Sequence, residues 1–295
     1  MAKCRGPLVD EMVCRSLLSQ IDAMATGLLS LPPELLIQIL EYVIDNGPHA
    51  GLTFTSQPPV GLPRTSQTST RLVLDPTYSS AACLRILLVC RQLRQVLTKV
   101  AFQRTAFVVR AGYRATLSTL QPLQRYQIEN LRNITLLFEP YRFGLMTSWR
   151  WPFNSEALHL DTLAIAFTHT SPGDPRALED LTTQNIIELV RLLRQLEHVK
   201  RLRFIQNGTF ANPSFRMWCN QVVGRLLKED HYQRYDAHGA PHIETTWWVW
   251  HFNDDEKSFE FVAQPAKAVV SEPSYMEAVA PLVARLMSEM EAVST

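Results

Sequence analysis

The apolar positions of the chain change period several times, and each change marks an element. Over residues 31–45, LPPELLIQILEYVID, the residues Leu35, Leu36, Ile39, Leu40, Val43 and Ile44 recur at helical spacing, with Gln38, Glu41 and Asp45 off the stripe. Pro32 and Pro33 suit a first helical turn, whose backbone donors have no partner within the helix, and Glu34 complements the positive end of the helix dipole. The stripe covers more of the circumference than one facing helix can bury. Part of it therefore calls for a second partner.

From Asn46 to Ser80 the period is lost. Pro48, Pro58, Pro59, Pro63 and Pro76 stand among many Ser and Thr, and only Leu72–Leu74 reads as structured. So little apolar surface cannot offset the entropy of ordering, which predicts a flexible insertion over 48–80. Residues 81–100, AACLRILLVCRQLRQVLTKV, regain helical spacing through Leu84, Leu87, Leu88, Leu93, Val96 and Leu97. A helix over 84–98 is expected to pack on the first one.

Past residue 100 a longer repeat begins. Phe102, Thr105 and Phe107 share the LxxLxL spacing with Leu131, Ile134 and Leu136, and with Leu160, Leu163 and Ile165; the starts are 29 residues apart both times. Val199, Leu202 and Phe204 follow 39 residues later and, with Asn207, complete the LxxLxLxxN spacing of a leucine-rich repeat. Between the last two copies, Gln184–Val199 is amphipathic, with Ile186, Val190, Leu193 and Leu196 on one face. Strands alternating with helices predict a parallel sheet whose members start near Phe102, Leu131, Leu160 and Val199. Trp247–Phe252 and Ser258–Ala263 flank NDDEK and read as an antiparallel hairpin, placed to cap an open sheet edge. A last amphipathic segment carries Val279, Leu282, Val283, Leu286, Met287 and Met290, and is expected to be helical from near Pro281, since proline suits a helix start and not its interior. The fold class is mixed α/β. An extension at 1–29 precedes a helical unit at 30–100, interrupted by the insertion, and a repeat-like α/β interaction domain at 101–295.

Composition narrows the function classes. With 46% apolar and 19% charged residues in 295, disorder of the whole chain is excluded. A formal charge of +1 gives no long-range pull toward nucleic acid or anionic lipid. Charge is unevenly placed, however: Arg85, Arg91, Arg94, Lys99, Arg104, Arg110, Arg114 and Arg125 fall between Asp75 and Glu129 with no acidic residue among them. That run reads as a solvated helix face, or as a docking face for an acidic protein partner; sparse aromatics weigh against nucleic acid. Cys4, Cys14, Cys83, Cys90 and Cys219 form no CxxC pair and suit reduced thiols, hence a cytoplasmic or nuclear location, with no membrane span expected.

Signatures of catalysis are missing. The chain has no GxG, GxSxG or HExxH, so neither a phosphate-cradling loop nor a nucleophile elbow is available, and no cofactor is expected. Cys219, His231, His238, His242 and His251 are the nearest approach to a metal set, but HGAPH reads as a loop, and surface histidines are the expectation. Cys90, on an apolar helix, reads as a buried small hydrophobe. Trp149, Trp151 and Phe153 follow the Leu131 strand; they either fill core or form an exposed recognition loop for a target.

LPPELLIQILEYV with LLVCRQLRQV resembles the two blocks of the F-box family, in the F-box-like form abundant in filamentous fungi. Leu31, Pro32, Glu34, Leu35, Ile39, Leu40, Tyr42 and Val43 fall on its LPxELxxxILxYL pattern, and Val89, Cys90, Arg91 and Arg94 on its VCRxxR pattern. The resemblance covers residues 30–100. It implies an adaptor, not an enzyme: Leu31, Pro32, Leu35, Ile39, Leu40, Val43 and Val89 would bind the Skp subunit of a cullin-RING ubiquitin ligase, while the remaining chain holds a target protein. An F-box-like scaffold that never joins a ligase is the alternative.

Overall fold

A computed structural model describes residues 29–45, 51–55, 71–109, 120–138, 155–167, 198–207, 212–240, 247–265 and 270–294, with Gly27, Leu193 and Leu196. In chain order these residues form α1 (Pro33–Asp45), β1 (Leu52–Thr55), β2 (Arg71–Leu74), α2 (Ser80–Cys83), a 3-10 turn (Arg85–Leu88), α3 (Arg91–Arg104), β3 (Ala106–Val109), α4 (Arg125–Ile128), β4 (Asn133–Phe138), β5 (Thr162–Phe167), β6 (Arg201–Ile205), α5 (Asn212–His231), β7 (Trp247–Asn253), β8 (Ser258–Gln264) and α6 (Glu272–Ser294). The fold is mixed α/β, as the periodicities predict.

One sheet of order β3-β4-β5-β6-β8-β7 organises the chain. Its first four strands are parallel neighbours, and the 29-residue and 39-residue intervals appear directly in the register, as Asn133 beside Thr162 and Leu163 beside Leu202. The first repeat is displaced: Phe107 pairs with Ile134, an interval of 27 residues, because Phe102 belongs to α3 and Thr105 caps that helix. The shift is even, so Phe107 stays on the same face as Ile134 and the core pattern survives it. The β7–β8 hairpin extends this sheet, with β8 antiparallel to β6, and the open edge predicted for capping is thereby continued by two strands.

The two faces of the sheet are covered differently. On one, Leu136, Leu163, Ile165, Phe204, Phe259 and Phe261 pack with Phe215, Trp218 and Val222 of α5. Helix α5 carried no clear sequence signal, and it is buried on most sides because α6 lies against it through Tyr275, Val279 and Leu286. Trp248 donates its indole N–H to the Leu193 carbonyl at 3.2 Å, and Leu193 and Leu196 are buried; residues 184–192, where the preceding helix is predicted, lie outside the described residues. Helix α6 begins at Glu272 and runs through Pro281, earlier than expected. The packing of Tyr275 and Val279 outweighs the lost hydrogen bond at Pro281, which faces solvent.

On the opposite face lie the two ends of the supposed insertion, which corrects the expectation of flexibility for residues 51–55 and 71–80. β1 and β2 pair antiparallel over Leu52–Thr55 and Arg71–Leu74, and Leu52, Leu72 and Leu74 pack on Ala164, Ala166 and Ile205. Small residues on β5 make room for the leucines. Residues 56–70 lie outside the described residues. Asn207, the last position of the LxxLxLxxN pattern, ties the hairpin down: its Oδ1 accepts from the Leu74 N–H at 2.8 Å, and its Nδ2 donates to the Phe167 carbonyl at 2.7 Å. It also adopts φ 51°, a left-handed conformation that Asn tolerates better than Ala. Asn207→Ala is expected to cost about 2–3 kcal/mol in urea denaturation, from unsatisfied backbone groups and backbone strain together. Asn207→Gly, which removes only the side-chain bonds, should cost less.

Candidate docking surface

Helix α1 starts where the sequence places it, because the Pro32 carbonyl accepts from the N–H groups of Leu35 and Leu36 at 3.0 and 3.2 Å and Glu34 occupies the first turn. One side is internal: Leu36 and Leu40 are buried against Leu93, Leu97 and Ala101 of α3, with Leu31 and Ile44 half-buried around them. A 3.0 Å ion pair between Glu41 and Arg104 closes the far end of the helix pair. The predicted contact between the two helices is therefore present. The predicted single helix over 84–98 is not, since a 3-10 turn at Arg85–Leu88 precedes α3.

Cys90 makes that break. Its backbone is extended, and its Sγ accepts from the Leu93 N–H at 3.4 Å, so it is the N-cap of α3 and not the fully buried residue expected.

The other side of α1 is open. Leu35 and Ile39 are 43% and 41% exposed, Tyr42 and Val43 70% and 60%, although all but Tyr42 are aliphatic. Spacings of four and then three or four residues align them in one stripe. In the turn before α3, Leu88 and Val89 are also exposed. Of the residues singled out for adaptor binding, Leu35, Ile39, Val43, Val89 and Pro32 face solvent, Leu31 is half-buried, and Leu40 is internal, being 2% exposed. Leu40 fills the helix-helix seam and offers nothing to a partner. Tyr42 and Leu88 were not singled out, yet Tyr42 stands three residues beyond Ile39, a spacing that assigns it to the open stripe. Trp149, Trp151 and Phe153 lie outside the described residues.

Cys219 is buried in α5, and burial pushes its thiol well above the usual range, so it is a poor nucleophile. His231 ends α5 beside Asp236 and Glu272, at 3.4 and 3.0 Å, and His251 is exposed on β7. Among the described residues no three His, Cys, Asp or Glu side chains are grouped to hold a metal, and no helix is long and apolar enough to cross a membrane. Comparisons with family models, with curated proteins and with solved structures give no match.

Proposed function

We propose that the chain is an F-box-like protein whose α1 surface docks on the Skp adaptor of a cullin-RING ubiquitin ligase, with the sheet domain holding a target protein. The observation that carries this reading is the division of the α1 stripe, in which Leu36 and Leu40 are spent internally while Leu35, Ile39 and Val43 stay exposed. An aliphatic stripe left in water on a helix whose far side is fully used suits a protein partner. The positions in question are those that the F-box resemblance assigns to the adaptor. On this reading the protein does no chemistry of its own and positions two other proteins.

The test is calorimetric titration of the purified Skp adaptor into wild type and into the double variant Ile39→Ala, Val43→Ala. Completing the burial of two such side chains is worth about 1.5–3 kcal/mol together, so the variant should bind at least about tenfold more weakly. Its melting temperature should barely move, because neither side chain lies in the helix-helix seam. Absence of wild-type binding at micromolar concentration would overturn the ligase reading and leave the scaffold in its place.

A further inference from the structure

A second surface lies on the far side of α3. At 100° per residue, Leu93, Leu97 and Ala101 point to α1, Arg91, Gln95, Thr98 and Lys99 point away from it, and Arg94 lies at the border between the two sides. Arg91, Arg94, Gln95, Thr98 and Lys99 line a groove of about 550 Å³ whose opposite wall is Tyr126 and Asn130, at the end of α4. Arg91, Arg94, Gln95 and Lys99 are exposed, and among the described residues no carboxylate pairs with the three cations. Two neighbouring members of the basic run are paired instead, Arg104 with Glu41 and Arg125 with Glu129.

The placement of these cations runs against helix electrostatics. Arg91 and Arg94 occupy the first turn of α3, which has no acidic residue, so positive side chains stand at the positive end of the dipole. A local rule broken without an internal compensation is a mark of a binding site. An anion in the groove would supply the compensation.

We propose that this groove takes an acidic segment of a protein partner in extended conformation. Arg91 to Lys99 spans about 12 Å along α3, the length of about four extended residues. Carboxylates would meet the forks of Arg91 and Arg94 and the ammonium of Lys99. The carboxamide of Gln95 both donates and accepts, which suits a peptide backbone with its alternating N–H and C=O groups, and the Thr98 hydroxyl, which donates to the Arg94 carbonyl within α3, can still accept from a peptide N–H. A phosphate backbone presents acceptors only, and Tyr126 is the single aromatic side chain in the lining, too few for the stacked bases of a nucleic acid. The proposal does not rest on adaptor docking, because none of the residues that line the groove is among those assigned to the adaptor.

The experiment is fluorescence polarisation with a labelled hexaglutamate peptide, a hexaglutamine control and oligodeoxythymidine, at one low ionic strength, on the full chain. Hexaglutamate should bind at least tenfold more tightly than hexaglutamine. Arg91→Glu should weaken it at least tenfold while preserving or raising the melting temperature, a combination that loss of structure cannot produce. Ile39→Ala, Val43→Ala should leave peptide affinity unchanged, so that failure here and failure of adaptor docking are separate results. If Arg91→Glu lowers the melting temperature, Lys99→Gln, beyond the first turn, provides the same reading and should weaken binding several-fold. Equal affinity for the two peptides, unchanged affinity in Lys99→Gln, or tighter binding of the oligonucleotide that is lost in the same variants would each overturn the proposal.

Discussion

Asp230→Ala is expected to destabilise the protein by about 3–5 kcal/mol, among the largest effects of any single substitution in the chain. Asp230 Oδ2 accepts from Arg234 Nε at 2.9 Å and from the Tyr275 hydroxyl at 2.8 Å, and the Asp230 and Arg234 side chains are 9% and 5% exposed. Removing the carboxylate leaves a guanidinium buried without its counter-charge at the junction of α5 and α6. Arg234 lies in the π-helical turn Tyr232–Asp236 and is buried there, so the side chain has no easy route to water. Denaturant titration checks the magnitude, and Tyr275→Phe, which removes one neutral donor, should cost only about 1 kcal/mol.

The same junction sets an alkaline limit. Burial, and after it the neighbouring Asp230 charge, holds the Tyr275 hydroxyl well above its ordinary value, and burial does the same for Tyr78, whose hydroxyl donates to the Ala106 carbonyl at 2.8 Å. In both cases the fold retains the neutral phenol and the unfolded chain releases its proton near pH ~10. The contribution is therefore complete below about pH 10 and is lost as pH rises toward the folded-state values. Stability measured from pH 8 to 11 should fall, and less steeply in a Tyr275→Phe, Tyr78→Phe variant.

How much of this was legible follows from the range of each interaction. The α1 stripe, the parallel order of β3 to β6 and the final hairpin were readable because side chains close in sequence set their periods. That only half of the stripe is used internally could also be anticipated from its width. Helix α5 was not readable: Phe215, Trp218, Val222 and Val223 meet the sheet while Gly224 approaches Leu286 of α6, so apolar residues on several sides blur the amphipathic signal. The break before α3 depends on one capping sulfur at Cys90, and nothing in LLVCRQL distinguishes that cap from a continuous helix. The basic run was visible as composition. Which of its members share a groove depends on α4 folding back beside α3 through Tyr126 and Asn130, a contact between segments far apart in sequence.

The hairpin shows the limit of compositional reasoning most directly, and it yields the second large effect. Leu72→Ala is expected to cost about 2–5 kcal/mol, the loss typical of a buried leucine whose surroundings relax only in part. Leu72 is 4% exposed and packs with Leu52 and Leu74 on the Ala164, Ala166 and Ile205 surface; its N–H donates to the Glu256 carbonyl at 3.0 Å, which holds β2 over the β7–β8 turn. The approach is close at its base as well. Gly51 has φ +78°, and a Cβ there would lie 2.6 Å from Val108 Cγ2 and 2.9 Å from Tyr78 Cδ1, so Gly51→Ala should destabilise through both strain and overlap. A proline-rich and serine-rich tract thus has two short apolar ends that cover one face of the sheet, and its average composition hides them. If Leu72→Ala unfolds at the wild-type denaturant midpoint, the hairpin is not part of the core and the leucine contacts contribute nothing. If the midpoint falls by the expected amount with an unchanged denaturant slope, the hairpin folds and unfolds with the sheet it covers.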